Sequence, residues 1–321
     1  MESVPSAEES PMQPTENSQT ATTAENSFTS LSITDPSYVP FVTSYSEIQT
    51  WRACQRKHHY AFGRKLSSKN KSVPLQIGTI GHALLEVYFK ERDELGVKNA
   101  IHSTKEFFSK EMLENPHDYS SNALITSYEA AMSFILDDPF KDYKILEVEK
   151  LYVTPISSSI DLAMRVDLIL ESPEGRCVLV DHKFVGRPWD TPKLMMATQL
   201  DVYAGMLGHN GMVINDKMYN FVYHKTKTHA QESFTYNPAK VNNVLRETDM
   251  IAHLIARRLT NNSIETQSQL SLRSHEQSIC GWCPFLDLCY GELTDDPKIV
   301  EAALGNLGPN EYGYREDTNG N

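Results

Sequence analysis

The sequence predicts an α/β fold in which helices come first, strands follow, and further helices close the chain. Three observations carry this. Apolar residues recur at helical spacing from about residue 45 to 136. From Lys144 the period changes to two, and residues 144–152, 160–170 and 176–184 read as three consecutive strands. Beyond them a helix, two shorter strands and a long helix alternate.

At 321 residues the chain is long enough to bury a large core, and its net charge of −12 is unevenly spread. Residues 1–36 hold six acids and no Lys or Arg, and residues 291–321 hold seven acids against Lys298 and Arg315. The ends thus account for −6 and −5, leaving about −1 between them, so the overall acidity does not exclude a polyanionic partner. Residues 1–36 are rich in Ser, Thr, Glu and Pro and poor in large apolar side chains. They are expected to form a disordered acidic tail, with a second acidic tail at 293–321 and one domain over 37–292. No apolar run approaches the ~20 residues of a membrane span, and the first residues show neither a basic n-region nor an apolar h-region. The expectation is a soluble, intracellular, cytoplasmic protein. Five cysteines, three of them near the C-terminus, point to metal chemistry rather than disulfides.

Ser44 or Ser46 is placed to cap a first helix running through Ile48 and Trp51 to about Phe62. Arg52, Arg56, Lys57, Arg64, Lys65, Lys69 and Lys71 make this region the most basic in the chain. Charge alone does not separate a solvated helix face from a phosphate-binding one. A second helix opens at Gln76, where Gly78 and Gly81 allow close backbone approach. His82 and Glu86 share one face four residues apart, while Leu84, Leu85 and Tyr88 cover the packed side. A lone helical His is usually structural, so position by itself does not make His82 a ligand. Residues 98–136 continue as amphipathic helix.

Strand alternation sets Asp181 and Lys183 on one face of an apolar run, with His182 pointing the other way. An acid and an amine on a buried strand are costly unless paired, metal-bound or catalytic. Asp167 and Asp181 are equidistant from Glu174 in the turn 172–175. A hairpin closed there sets them opposite each other, about 4.5–5.5 Å apart if they share a face. Carboxylates that close repel unless a cation intervenes or one is protonated. Glu149, on the preceding strand, is placed to add an oxygen, and such oxygen ligands suit Mg²⁺ or Mn²⁺ better than zinc. Asp161 competes from the same pleat phase, but its register does not bring it opposite Asp181.

Asp190 or Thr191 is placed to cap a helix on which Gln199 and Tyr203 stand four residues apart; a half-buried core role for Tyr203 is the simpler alternative. Residues 217–226 and 232–236 read as two strands, and Pro238 opens a long helix through Leu259. Cys280, Cys283 and Cys289 are one ligand short of a four-thiolate site. Cys177 lies inside a strand, so Cys54 is the better fourth ligand. Zinc and an iron–sulfur cluster both fit four cysteines. Either one staples the two ends of the domain together.

In order along the chain stand Ser46, Cys54-Gln55-Arg56-Lys57, Gly78-x-x-Gly81-His82, Asp167, Asp181-His182-Lys183, Gln199-x-x-x-Tyr203 and the three C-terminal cysteines. Together they resemble the PD-(D/E)XK nuclease superfamily. Within it they are most similar to the RecB-like branch of CRISPR-associated iron–sulfur exonucleases, the AddB nuclease domain and phage exonucleases. The resemblance implies a restriction-endonuclease-like α/β core, a mixed β-sheet flanked by helices. N-terminal helices and a cysteine-rich C-terminal segment would close the domain. It implies that His82, Asp167 and Asp181 hold Mg²⁺ or Mn²⁺, that Lys183 positions or activates the attacking water, and that Gln199 and Tyr203 orient the site or contact DNA. It favours a [4Fe-4S] cluster over zinc at Cys54, Cys280, Cys283 and Cys289. The implied activity is that of a deoxyribonuclease, an exonuclease more than an endonuclease, acting on DNA beside recombination or repair proteins or in phage- or CRISPR-related processing. If phage-encoded, it would work in the host cytoplasm. The alternative is a non-catalytic DNA-binding or assembly subunit of the same fold. Arg165 departs from the small residue that often precedes the metal-binding Asp, and the acidic ends are atypical.

Overall fold

The computed structural model describes residues 40–114 and 119–310. The tail expected at 1–36 lies outside these residues. The first helix is broken where one continuous helix was expected. β1 (Phe41–Ser44) leads into α1 (Tyr45–Ala53), α2 (Gln55–His58) and a π-helical turn at His59–Gly63. The break falls at Cys54, whose backbone is extended and whose sulfur accepts the Lys57 N–H, capping the new helix. β2 (Leu66–Ser68) follows, then α3 (Val73–Leu95), which starts at its Pro-containing first turn rather than at Gln76. α4 (Val97–Glu114) and α5 (Ser121–Asp137) fill the rest of the helical stretch.

The strands come where the alternation puts them: β3 (Lys144–Ser157), β4 (Ile160–Glu171) and β5 (Cys177–Val185), the last two joined by a turn in which Gly175 takes φ +77. α6 (Thr191–Met196) and α7 (Gln199–His209) replace one expected helix. β6 (Asp216–Tyr223), β7 (Thr228–Thr235) and α8 (Pro238–Thr260) complete the core. α9 (Ile264–Leu270), α10 (Gln277–Cys280), α11 (Leu286–Thr294), α12 (Pro297–Gly305) and β8 (Leu307–Pro309) close the domain.

The expected acidic tail from residue 293 is therefore corrected as far as Pro309. Ala303 and Leu307 are buried with Tyr60, Phe285 and Leu288 in a small apolar core, and β8 pairs antiparallel with β2. Charge counting missed this because Glu301, the one acid of α12, is exposed, while Val300, Ala303 and Leu304 pack inward at helical spacing.

The mixed sheet runs β1-β4-β5-β6-β7, with β3 also on β4. β3 pairs with β4 from Ile160 to Glu171 along one edge, so β1 and β5 must share the other. β1 runs parallel beside Ile160–Ala163, and β5 runs antiparallel beside Leu168–Glu171. Between them the edge of β4 is unpaired from Met164 to Asp167, and the sheet forks there. The fork is where the charged residues gather.

Two apolar layers cover the sheet. α3 and α5 pack Leu84, Leu85, Phe89 and Phe134 against Leu168, Val178 and Val180 on one face. α1, α7 and α8 pack Ile48, Leu200, Val244 and Ile255 against Leu162, Val166 and Leu179 on the other. Val166 and Leu168, two residues apart, face opposite layers, as do Val148 and Tyr152 on β3. Alternation is thus interrupted at Asp167 and Glu149, and Glu149 has φ +47 inside its strand. A non-glycine residue held there costs about 1–3 kcal/mol, a strain that persists only where the surroundings over-determine it.

α3 reaches the fork through Gly81. A Cβ at that position would lie 2.4 Å from Cζ of Phe184 on β5, whereas one at Gly78 would meet nothing within 4 Å. Only Gly81 is needed for the close approach that sets His82 over the sheet. Gly81→Ala is expected to destabilise the protein by about 1–3 kcal/mol through overpacking and to weaken metal binding, because the clash pushes His82 outward. Gly78→Ala should be neutral or mildly stabilising, and thermal melts of the pair with Mn²⁺ titrations would check both.

Candidate metal-dependent active site

At the fork, His82 Nδ1 lies 3.4 Å from Asp167 Oδ2 and 3.6 Å from Glu149 Oε1. Ligand atoms of these three residues fall within 4.8 Å of one another, and among the described residues this is the group that meets that condition. α3 supplies the imidazole, β3 and β4 the carboxylates. The register that pairs Lys150 with Val166 and Val148 with Leu168 sets Glu149 opposite Asp167. Continuing the β4–β5 register by one residue sets Asp167 opposite Asp181, as the hairpin arithmetic predicts. The ladder stops short of that pair, because Asp167 Oδ2 accepts the His182 backbone N–H at 2.8 Å.

Asp181 is not in the three-residue group. Its buried carboxylate pairs with Lys183 Nζ at 2.5 Å, and Lys183 Nζ also donates to Gln199 Oε1 at 3.0 Å. Sequence placed His82, Asp167 and Asp181 as ligands with Glu149 as a supplement. In the structure Glu149 stands with His82 and Asp167, while Asp181 bridges toward the amine. Tyr203 is buried, edge-on to Tyr45 at 6.1 Å, behind Gln199 on α7. Asp161 takes no part in the group. Arg165 is exposed and donates to the Glu149 carbonyl at 3.3 Å, which helps hold the strained turn of β3.

The charges explain the perturbed titrations. Burial drives the Asp181 carboxyl up, Lys183 pulls it back and Asp167 pushes it up again, leaving it at about 6. Burial and the Glu149 charge raise Asp167 against the pull of His82 and Lys183. Burial by itself would lower His82, but Asp167, Glu149 and Asp181 outweigh it and raise the imidazole to about 9. Three carboxylates face the Lys183 ammonium and the His82 imidazolium, and a divalent cation entering in place of the imidazole proton would supply the balancing charge. The donor set, two carboxylates and an imidazole with a third carboxylate adjacent, fits a hard ion of the Mg²⁺ or Mn²⁺ type.

His182 faces the opposite side of β5 from Lys183, as alternation requires, yet it is not remote. Its ring stacks on Phe89 at 5.6 Å and lies 6.1 Å from His82. Its Nδ1 joins a polar chain through Asn220, Gln231 and His229 to Asp137. That chain fixes the peptide whose N–H holds Asp167.

Other supports went unseen in the sequence. Tyr219, which pairs with Asp181 across β5–β6, puts its ring 5.9 Å from Lys183 Nζ. Tyr45 Oη shares a hydrogen bond with Thr198 Oγ1 at 2.9 Å beside Gln199. Asp201, buried on α7, pairs with Lys217 of β6 and at 2.9 Å with Lys240 of α8, anchoring the helix that carries Gln199. A parallel pairing of β6 with β5 would have revealed Tyr219, but nothing in one sequence specifies that pairing.

The arginines of the basic stretch at the start of the domain are used internally, Arg52 by Glu247 at 3.4 Å. Arg56, Arg64 and Tyr60 converge on Glu292 of α11, at 3.5, 2.9 and 2.7 Å, and His58 pairs with buried Glu47 at 2.9 Å. At the same junction Cys54 and Cys289 act electrostatically on Cys283, whose thiol burial pushes upward, and Arg273 Nε donates to Cys289 Sγ at 3.3 Å. Cys283 and Cys289 line the small core of this junction, and all five cysteines are free thiols of intermediate exposure.

A family model described as the PD-(D/E)XK nuclease superfamily matches residues 42–290. Among solved structures the chain is similar to a protein of Eubacterium rectale described provisionally as an exonuclease, at 14% identity over 72% of this chain and 83% of that one, with TM-score 0.47. It is also similar to the protein SSO0001, at 12% identity over 64% and 82% of the respective chains, with TM-score 0.30. No protein of curated function matches. No described helix is long and apolar enough to cross a membrane. The family match runs from β1 to the last cysteine and includes every residue of the candidate metal site, so the chain belongs to the PD-(D/E)XK nuclease superfamily.

Proposed function

We propose that the protein is a Mg²⁺- or Mn²⁺-dependent deoxyribonuclease of the RecB-like branch, acting as an exonuclease. The observation that supports it most is the meeting of His82, Glu149 and Asp167 with the Asp181–Lys183 pair at one fork of the sheet. His82, Asp167 and Asp181, with Glu149, would hold the ion. Once bound it would supply Lewis-acid polarisation of the phosphate and an acidified water. Lys183, fixed between Asp181 and Gln199, presents a preorganised ammonium to the phosphate oxygens, where charge builds as the bond breaks. Gln199 accepts one of its N–H groups, and Tyr203 walls the site behind. A retired, DNA-binding copy would have no chemical reason to keep Asp167, Asp181 and Lys183 together.

The nuclease domain spans residues 37–309 in this reading, with Cys54, Cys280, Cys283 and Cys289 holding a structural [4Fe-4S] cluster where its ends meet. Zinc would bring four sulfurs to about 3.8 Å of one another, from Zn–S bonds of about 2.3 Å. A cubane, with each thiolate on a different iron, holds its sulfurs farther apart, and the resemblance is what favours it here. The resemblance points to recombination, repair, or phage- or CRISPR-related DNA processing, with proteins of that machinery as partners.

End-labelled linear DNA, single- and double-stranded, incubated with Mg²⁺, Mn²⁺ or EDTA tests the activity. The expected result is label released as short products from ends only with a divalent ion, and closed circles left intact. Release with no metal tried, or circles cut as fast as linear strands, would defeat it.

The raised His82 imidazole gives a pH signature. Below about 9 its proton occupies the pocket, and an entering metal must displace it. Metal affinity should therefore rise with pH up to about 9, by as much as tenfold per unit. Mn²⁺ calorimetry at pH 7 in buffers of different ionisation enthalpy should report about one proton released, and His82→Ala should remove that proton while weakening binding. A count of zero in the parent protein would be incompatible with His82 as a ligand.

A further inference from the structure

A row of polar side chains crosses the sheet face that packs under α3 and α5. Met218 and Val222 of β6 belong to that apolar layer, yet Asn220, between them on the same face, is polar and fully buried. Its register partners are His182 on β5 and Gln231 on β7, so the three side chains stand abreast on adjacent strands. Beyond Gln231, His229 reaches Asp137, an exposed residue at the end of α5.

Donor and acceptor roles follow one another along the row. The Asp137 carboxylate only accepts, so His229 gives it the Nε2–H at 2.9 Å and keeps Nδ1 as an acceptor. Gln231 Nε2 donates to that Nδ1 at 3.1 Å and to Asn220 Oδ1 at 2.8 Å. Asn220 Nδ2 then donates to His182 Nδ1 at 2.8 Å, which leaves the His182 proton on Nε2. That Nε2 is buried and, among the described residues, has no hydrogen-bond partner. A network kept for stability alone would not end on an orphaned buried donor, because such a group costs free energy where an apolar side chain would not. The row ends instead on the residue that holds a metal ligand. β5 leaves its ladder with β4 after Val180, and there the His182 N–H is given to Asp167 Oδ2 at 2.8 Å.

We propose that Asn220 and Gln231 are positioning residues for the metal site, clamping the His182 ring so that its peptide N–H fixes Asp167 Oδ2 for the ion. The proposal rests on the metal-dependent reading for what Asp167 binds, and on the hydrogen-bond row by itself for how Asp167 is held. Without the clamp, His182 keeps its stack on Phe89 but loses the bond that sets its ring, and the peptide at the end of the ladder loosens with it. A carboxylate whose donor moves is less well oriented, and loss of ligand-orienting partners weakens metal binding.

Two measurements on the full chain test this: residue-resolved hydrogen exchange of the metal-free protein, and Mn²⁺ calorimetry. Asn220→Leu puts an apolar group of similar shape at the buried position. It is expected to speed exchange of the His182 amide by about tenfold, with the Leu179 amide unchanged, and to weaken Mn²⁺ binding by at least about tenfold. Gln231→Met, one link farther out and only half-buried, should speed the same amide and weaken binding by about threefold. His182→Leu should cost as much binding as Asn220→Leu, and the pair together no more, since one acts through the other. Met218→Ala, on the same face of β6, should lower the melting temperature while leaving both measurements at parent values. Either measurement unchanged in Asn220→Leu, or in Gln231→Met should the first variant not fold, would overturn the proposal. Equal losses in Met218→Ala at the same fall in melting temperature would also overturn it, by making the row structural. A parent protein that binds no Mn²⁺ removes the metal-dependent reading, and the His182 exchange rate then decides separately whether the row holds Asp167.

Discussion

Asp181→Asn is expected to reduce metal-dependent DNA cleavage by at least about 10³-fold while leaving the metal-free protein as stable as the parent, or more so. The two halves of that result discriminate between roles. A structural ion pair broken at a buried site costs about 3–5 kcal/mol, because one charge is left uncompensated. Burial, with Asp167 behind it, outweighs the pull of Lys183 and His82 and holds the Asp181 carboxyl above its ordinary range, so removing its charge relieves that cost, and Lys183 keeps its bond to Gln199. Lys183→Ala should be equally inactive, but its deficit should depend on pH. Lys183 lowers Asp181, so its loss moves that carboxyl above its present value of about 6. The carboxylate is then lost as pH falls through the raised value, so residual metal binding should recover as pH increases. Single-turnover rates, Mn²⁺ affinities and melting curves on the variants would check this. A large loss of stability in Asp181→Asn with modest loss of rate would return the pair to a structural role.

The fold was legible where a residue pattern has one physical solution. Alternation marked out β3, β4 and β5, and the turn at 172–175 set the register of β4 with β5, because a slip of one residue would turn every core side chain to the wrong layer. Asp167 therefore came opposite Asp181 from counting alone. Glu149 was harder. It joins His82 and Asp167 only because β3 turns through φ +47, and a glutamate gives no sign in sequence that it will take a backbone favoured by glycine. The short strands were illegible for another reason. β1, β2 and β8 have three or four residues each and are held by pairing with distant segments, which no local pattern records. The basic run near Arg56 shows the limit of charge counting. Glu292, which pairs with two of its arginines, lies 236 residues from Arg56 in sequence.

The same long-range junction makes the second large prediction. Cys54→Ser is expected to abolish the broad visible absorbance, near 400 nm, that the proposed cluster would give the anaerobically purified protein, and to open the junction while the sheet stays folded. Besides the proposed thiolate ligation and the β2–β8 pairing, two things hold the C-terminal segment to the first helices. One is a core of five buried residues, Tyr60, Phe285, Leu288, Ala303 and Leu307. The other is Glu292 with Arg56, Arg64 and Tyr60, and those partly exposed ion pairs contribute little each. The main layers on either side of the sheet are several times larger and do not draw on this junction. Losing a metal group bound only by the folded form removes its binding energy from whatever its ligands join, here residues 54–68 and 272–309. Local opening should follow without global unfolding. Hydrogen exchange should show α11, α12 and β8 losing protection by at least about a hundredfold, with β5 and β6 unchanged. Cys177→Ser is the control, because that thiol lies in β5 against the α7–α8 layer. A colourless, zinc-loaded parent protein would replace the cluster with zinc yet leave the opening expected. Unchanged protection in Cys54→Ser would show that the apolar core and Glu292 hold the ends together unaided.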